Sequence, residues 1–343
     1  MTFDEQMMLR CLQLAALGKG KVAPNPMVGA VIVHNKKIIG EGYHEQFGAP
    51  HAEVNAVNSV ENHEILKECT IYVTLEPCSH FGKTPPCADL LVAKQFKRVV
   101  IGTLDAHAKV YKKGVKRLED HGIDVTVGVC EKECLELNRA FFTFHEKKRP
   151  YVLLKWAQTK NGFIDNTAGQ QGEVSWISAP ETQVKVHQWR SELQSILVGK
   201  NTVLNDNPSL TVRAVQGKNP IRIVLDSNNE LPKHSKIFNE EAETIVLNTK
   251  KESAEGTISF IQIEALTPKN ILNCLYEKEI QSVLIEGGKK VLQSFIDAEL
   301  WDEARIITGQ SEFASGTHAP TIHGQQFHAE TFFGDHISYL RPL

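Results

Sequence analysis

Apolar residues at Met7, Met8, Cys11, Leu12, Leu14 and Ala15 recur at helical spacing from Asp4 to Leu17, and Gly18 follows, which predicts an opening helix. The period then shortens. Val28 to Val33 and Lys37 to Tyr43 read as a hairpin turning at His34-Asn35-Lys36. A helix is expected from about His51, a strand over Thr70 to Leu75, and a second helix from about Pro86, because proline is tolerated in a first helical turn. A strand at Arg98 to Gly102, a helix at Lys112 to His121 and a strand at Asp124 to Val129 complete a layered α/β unit.

A chain of 343 residues is long for one core, so two domains are expected. The polar stretch His145-Glu146-Lys147-Lys148-Arg149-Pro150 marks the boundary, giving domains 1–147 and 148–343. A second α/β pattern follows. Its strands are expected at Tyr151 to Ala157, Ser195 to Gly199, Ile221 to Leu225, Thr244 to Asn248 and Ser282 to Ile285. Its helices are expected around Pro180 to Ser191 and Gly288 to Ala298.

Composition narrows the class. Hydrophobic content of 41% with 23% charged residues describes a soluble globular protein. A formal charge of −3 without a basic tail argues against a dedicated nucleic-acid binder. No apolar run approaches the roughly 20 residues that span a bilayer. The acidic start, Met1-Thr2-Phe3-Asp4-Glu5, does not resemble a secretory signal, and seven cysteines, an odd number, point to a reducing compartment. A cytoplasmic location is expected. Cys130 and Cys134 read as small buried residues rather than a second metal pair, since no ligand partners lie nearby in sequence.

The chemistry concentrates at His51-Ala52-Glu53, Pro77-Cys78 and Cys87. A catalytic zinc takes three protein ligands and leaves a fourth position for water, and His51, Cys78 and Cys87 supply the three. Glu53 then serves as the proton shuttle, in the H-x-E…P-C…C order of zinc deaminases. A structural zinc knot normally closes with four ligands, and no fourth is indicated. Both halves of the site fall at expected helix N-termini, where the dipole favours thiolate. Upstream, Asn25 offers a donor and an acceptor to a pyrimidine edge, and Gly29 is read as letting a planar ring approach the backbone. Such a turn alone is a weak signal.

Asn25-Pro26-Met27-Val28-Gly29, His51-Ala52-Glu53-Val54 and the run from Thr74 through Glu76-Pro77-Cys78 to Thr84-Pro85-Pro86-Cys87 together resemble the bifunctional riboflavin-biosynthesis deaminase/reductase family. The long insert between the cysteines sets that family apart from ordinary cytidine deaminases. The resemblance implies a cytidine-deaminase-like layered α/β domain acting on a diaminopyrimidinone that carries a ribosylamino 5′-phosphate. His80 and Lys83 then become substrate-contact candidates, with a solvated loop lysine as the plainer reading of Lys83. This chain departs from the family pattern at His107, where an asparagine is usual.

Residues 151–343 lack a G-x-G-x-x-G fingerprint. They carry Lys155 to Gly162, Trp176-Ile177-Ser178 before a helix with His187 and Arg190, Val198 to Arg213, and Ile285-Glu286-Gly287-Gly288. The last is a strand–helix junction of the kind that receives phosphate, although paired glycines there also have steric uses. In this order the segments resemble the reductase half of the same family, which implies a dihydrofolate-reductase-like α/β fold and NADPH. The resemblance places Ala157, Trp176, Thr202, Asp206 and the turn of Gly288, Lys289, Lys290, Val291, Leu292, Gln293 and Ser294 on the cofactor, with Ser227 toward the adenosine ribose. Arg190, Leu210, Arg213 and Glu286 fall on the substrate; bidentate phosphate recognition suits the arginines, which otherwise read as surface ion pairs. Lys155 and Asp206 are the catalytic candidates for protonation during hydride transfer. Val174 and Asn161 depart from the family pattern.

The reading is therefore a zinc- and NADPH-dependent bifunctional enzyme. Its expected partners are a small phosphorylated pyrimidine and further copies of the chain, with no nucleic acid and no membrane. The rivals are a deaminase of nucleosides or nucleic-acid bases, with an inactive or regulatory second domain, and a non-catalytic regulator that keeps the zinc fold.

Overall fold

The computed structural model describes residues 1–79, 85–106, 111–166 and 176–343. The chain separates into two compact units, Met1–Lys147 and Lys148–Leu343.

In the first unit, α1 (Phe3–Ala16) starts at a reciprocal cap: Glu5 N–H donates to Thr2 Oγ1 at 3.2 Å, and Thr2 N–H donates to Glu5 Oε2 at 2.6 Å. A hairpin of β1 (Gly29–His34) and β2 (Lys37–Tyr43) turns at Asn35 and Lys36, both with positive φ, as tight two-residue turns require. Then come α2 (Ala52–Asn58), β3 (Thr70–Leu75), α3 (Cys87–Ala93), β4 (Arg98–Thr103), α4 (Lys113–Glu119) and β5 (Asp124–Val127). Two helices, α5 (Glu131–Leu137) and α6 (Arg139–Lys147), close the unit. The sheet order is β2-β1-β3-β4-β5, with β3, β4 and β5 parallel. Central β3 and β4 are apolar almost without interruption because helices cover both faces. One core holds Ala30, Ile32, Ile71, Val73 and Ile101 against α2 and α3; the other sets Met8 and Cys11 of α1 against Val31, Tyr72 and Val100.

Gly29 belongs to this packing. A Cβ there would lie 2.0 Å from Cys11 O and 2.8 Å from Ala15 N, so its missing side chain lets α1 sit on β1. The expectation that it admits a planar ring is corrected: the space is filled by the helix backbone.

The second unit contains β6 (Tyr151–Gln158), α7 (Pro180–Glu192), β7 (Ser195–Gly199), α8 (Lys200–Asp206), β8 (Ile221–Leu225), β9 (Thr244–Asn248), β10 (Ser253–Glu255) and β11 (Ile258–Gln262). It continues with α9 (Pro268–Glu277), β12 (Ser282–Ile285), α10 (Lys289–Asp297), β13 (Glu303–Thr308) and a hairpin of β14 (Gln325–Phe332) and β15 (Asp335–Arg341). They form one sheet of order β10-β11-β9-β8-β7-β12-β6-β13-β15-β14. From β11 to β13 every pairing is parallel; both margins are antiparallel. Val152, Leu154, Leu197, Ile223, Leu247 and Phe295 lie in its main core. Among the described residues no helix is long and apolar enough to cross a membrane.

Candidate active sites

The first site forms where β2, β3 and their following segments end. His51 is the N-cap residue of α2, Glu53 lies in that helix's first turn, Cys78 follows β3, and Cys87 opens α3. One ligand atom from each of His51, Cys78 and Cys87 lies within 4.8 Å of the others, the one such group of three or more among the described residues. His51 Nδ1 stands 3.2 Å from Cys87 Sγ and 3.6 Å from Cys78 Sγ. Cys87 N–H donates to Cys78 Sγ at 3.3 Å, which applies the start of α3 to that sulfur. The thiols are inequivalent: their mutual hydrogen bond holds Cys78 well below the ordinary thiol range, and the same bond plus burial pushes Cys87 up. Two sulfurs and an imidazole, converging with no fourth ligand in the group among the described residues, are a donor set that suits zinc with an open position.

Glu53 is 3% exposed. Burial, then the charge on Cys78, raises its carboxyl to about 7. That value suits a group that must both take and give a proton near neutrality.

Asn25 connects to this constellation through His44, whose ring meets that of His51 edge-on with centroids 5.6 Å apart. His44 Nδ1 is 3.1 Å from Pro50 O, which can only accept, so Nδ1 carries the proton and Nε2 receives the Asn25 Nδ2 donor at 3.1 Å. Asn25 is thereby oriented with its amide nitrogen on His44. Asn138 grips the same loop through Met27, donating to its carbonyl and accepting from its N–H, both at 2.8 Å. Glu76 was visible only as part of a motif. Its buried carboxylate accepts backbone N–H groups of Asp105 (3.3 Å), Lys112 (3.0 Å), Gly114 (2.9 Å) and Val115 (3.3 Å). Lys112 gives α4 no side-chain cap, and Glu76 does that work from just past the end of β3. His80, Lys83 and His107 lie outside the described residues. Cys134 is buried and Cys130 half-buried at the start of α5, apart from any ligand cluster.

In the second unit, the end of β6, α7 and the end of β12 bring together Lys155, His187, Arg190 and Glu286. Arg190 donates to Glu286 through Nε at 2.8 Å and Nη2 at 2.7 Å, and Lys155 Nζ stands 3.9 Å from the same carboxylate. Glu286 titrates down at about 2 despite burial, because Arg190 and Lys155 favour its charge. Burial lowers the Lys155 ammonium, and Glu286 opposes that. Arg213 N–H donates to His187 Nδ1 at 3.0 Å; burial, then Arg190 and Arg213, lower this imidazole to about 4. Leu210 is buried with φ of 54°.

The glycine junction ends in α10, whose N-cap Gly288 has φ of 67° and no side-chain cap. A Cβ on Gly287 or Gly288 would lie 3.0 or 3.4 Å from Thr202 Oγ1, so Thr202 borders this helix start. An uncapped helix start behind two glycines fits a phosphate group. The expected turn continues as helix, and this separates its residues. Leu292 is 1% exposed in the core, Gln293 bonds Asp297 and Thr321, and Ser294 donates to Val291 O. Lys289, Lys290 and Val291 lie in the first turn. Ala157 packs on β6 beside Trp189, Trp176 is 65% exposed before α7, Asp206 ends α8, and Ser227 is exposed after β8. Val174 and Ser175 lie outside the described residues.

Residues 150–335 match the RibD C-terminal domain, and residues 1–103 match the cytidine and deoxycytidylate deaminase zinc-binding region. The riboflavin biosynthesis protein RibD of Aquifex aeolicus is 45% identical over 321 residues, covering 91% of this chain and 88% of that protein. The RibD of Escherichia coli is 37% identical over 319 residues, covering 88% and 86%. The crystal structure of a Thermotoga maritima diaminohydroxyphosphoribosylaminopyrimidine deaminase/5-amino-6-(5-phosphoribosylamino)uracil reductase matches with a TM-score of 0.92 and 38% identity over 99% of both chains. Acinetobacter baumannii RibD matches with a TM-score of 0.90 and 31% identity, again over 99% of both. The chain thus combines a cytidine-deaminase-like zinc-binding domain with a dihydrofolate-reductase-like domain of a kind that uses NADPH, which disfavours the base-editing and regulatory alternatives. It belongs to the RibD family of riboflavin-biosynthesis proteins, bifunctional deaminases and reductases.

Proposed function

We propose that residues 1–147 deaminate 2,5-diamino-6-ribosylamino-4(3H)-pyrimidinone 5′-phosphate, and that residues 148–343 reduce the ribosyl group of the resulting 5-amino-6-(5-phosphoribosylamino)uracil to ribityl. The observation that carries this reading is the convergence of His51, Cys78 and Cys87 beside a buried Glu53 titrating near 7. His51, Cys78 and Cys87 would hold a zinc, which would supply the Lewis acidity that makes water nucleophilic near neutral pH. Glu53 accepts a proton at its carboxylate and delivers it to the departing amine. Asn25, kept in place by His44 and Asn138, takes the pyrimidine edge, and His80 and Lys83 remain proposed contacts to the substrate.

For the reduction, NADPH supplies the hydride. Gly288, Lys289, Lys290 and Val291 at the start of α10 would hold its phosphates, with Ala157, Trp176, Thr202, Asp206 and Ser227 as further contacts. Around His187 stand three cations, Lys155, Arg190 and Arg213, and one carboxylate, Glu286. That positive excess supports placing the substrate phosphate there, with Leu210 and Glu286 on the sugar. Lys155, desolvated and beside Glu286, is the proposed proton donor to the opening ribose, with Asp206 the second candidate.

The test is a paired assay on the zinc-loaded chain with the diaminopyrimidinone phosphate, following ammonia and NADPH together. Ammonia release followed by NADPH loss is expected. Ammonia without NADPH loss would remove the reductase assignment, and neither signal with zinc bound would remove both.

A further inference from the structure

We infer that His187 is a positioning residue of the reductase: its imidazole fixes the backbone at Arg213 and so sets where Leu210, Thr211 and Arg213 stand relative to Arg190 and Glu286. The inference rests on the reading of Arg190 and Arg213 as substrate-phosphate contacts.

His187 is 6% exposed on the inner face of α7, one turn before Arg190. The Arg213 N–H can only donate, so the Nδ1 it meets at 3.0 Å is an unprotonated acceptor. The segment it holds is under conformational strain. Leu210 sits at φ of 54°, a left-handed conformation that a branched side chain adopts only where its surroundings enforce it. Its surroundings include burial of Leu210 and Thr211, a Val212 N–H donated to Asn219 Oδ1 at 2.8 Å, and Arg213 Nη1 donated to Thr211 Oγ1 at 3.2 Å. The His187 bond ties this segment to α7, and α7 also carries the Arg190 fork that holds Glu286. One helix therefore registers two substrate-facing groups against each other.

The charges around the ring agree with this use. Arg190 faces it from its own helix, Arg213 from the held segment, Lys155 from β6 and Glu286 from the end of β12. Burial and the three cations keep the ring neutral against the opposing pull of Glu286, which preserves the acceptor.

The test compares His187→Leu, His187→Asn and His187→Gln in steady-state reduction of the deaminated phosphate. Asparagine places an acceptor near the Nδ1 position and glutamine near Nε2. Loss of one buried acceptor predicts a KM about tenfold higher for His187→Leu, with kcat within about threefold and ammonia release unchanged. His187→Asn restores KM toward the wild-type value, and His187→Gln does not. A His187→Asn as impaired as His187→Leu, or a collapse of kcat at unchanged KM, overturns the inference. If the leucine variant does not fold, the asparagine–glutamine pair carries the same comparison. Arg213→Ala separates the two levels. If it leaves KM unchanged, the phosphate reading has failed; if it raises KM while the His187 variants do not, only the positioning role has failed.

Discussion

Glu76, just past β3, and Gly114, in the first turn of α4, are in direct contact: the Gly114 N–H donates to Glu76 Oε1 at 2.9 Å, and a Cβ on Gly114 would lie 2.1 Å from Pro77 O. The residue before Pro77-Cys78 is thus locked to the start of α4. Glu76→Ala strands four backbone donors at once. At about 1–3 kcal/mol for each unsatisfied group, and less than additively, unit 1 loses on the order of 3–5 kcal/mol. Urea unfolding of the zinc-loaded chain measures this, and a wild-type midpoint would show the clamp to be idle.

Glu53→Gln keeps the shape of the side chain and removes its basicity. Ammonia release falls by about 10²–10⁴-fold. Zinc content measured by atomic absorption stays near the wild-type value, as does NADPH oxidation with already deaminated substrate. Loss of zinc in this variant would instead make Glu53 a structural support of the ligands.

Chelation separates the two activities. A chelator abolishes ammonia release, added zinc restores it, and reduction of deaminated substrate continues throughout. The metal binds the folded site, so its removal also lowers the melting temperature of unit 1 by mass action. Equal loss of both activities on chelation would contradict the assignment of zinc to His51, Cys78 and Cys87 alone.

Acid should loosen unit 2 in two windows. His187 titrates at about 4 when folded against 6.5 ordinarily, so its contribution is complete above 6.5 and erodes as pH falls from 6.5 toward 4. Glu286 titrates at about 2 against 4.5, so its contribution is complete above 4.5 and erodes from there toward 2. Each shift is worth at most about 3–4 kcal/mol. Arg190, Arg213, Lys155 and Glu286 face His187, and folded Glu286, titrating at about 2, keeps its charge through the upper window. Urea midpoints at pH 7.5, 5.5 and 4.5 measure the slope, and His187→Asn should flatten it between 6.5 and 4.5.

Much of this was legible before the structure. The strands Thr70–Leu75, Ser195–Gly199, Ile221–Leu225, Thr244–Asn248 and Ser282–Ile285 fall where the sequence predicts them, because buried parallel strands are short apolar runs between polar residues. The helix α9 carries its own local signals: Thr267 caps it and Pro268 opens it, and Ile271, Leu272 and Leu275 line its buried face. The hairpin of β14 and β15 carried little signal, since Gln325-Gln326-Phe327-His328 is exposed throughout. The zinc donors stood out because their chemistry is local to short motifs. The partners of Glu76, His44 and His187 were hidden, since each depends on which distant loop folding delivers to it.

The pairing of β6 has a consequence for how the polypeptide is made. Among the described residues its strand neighbours are β12 and β13, both well over a hundred residues downstream. The β1–β2 hairpin, by contrast, can close within fifteen residues. During synthesis Tyr151-Val152-Leu153-Leu154 must therefore wait, apolar and unpaired on both edges, until most of the second half has left the ribosome. A chain interrupted before Ser282 would carry a finished metal site beside an orphan sticky strand, a species bound for aggregates rather than for half an enzyme.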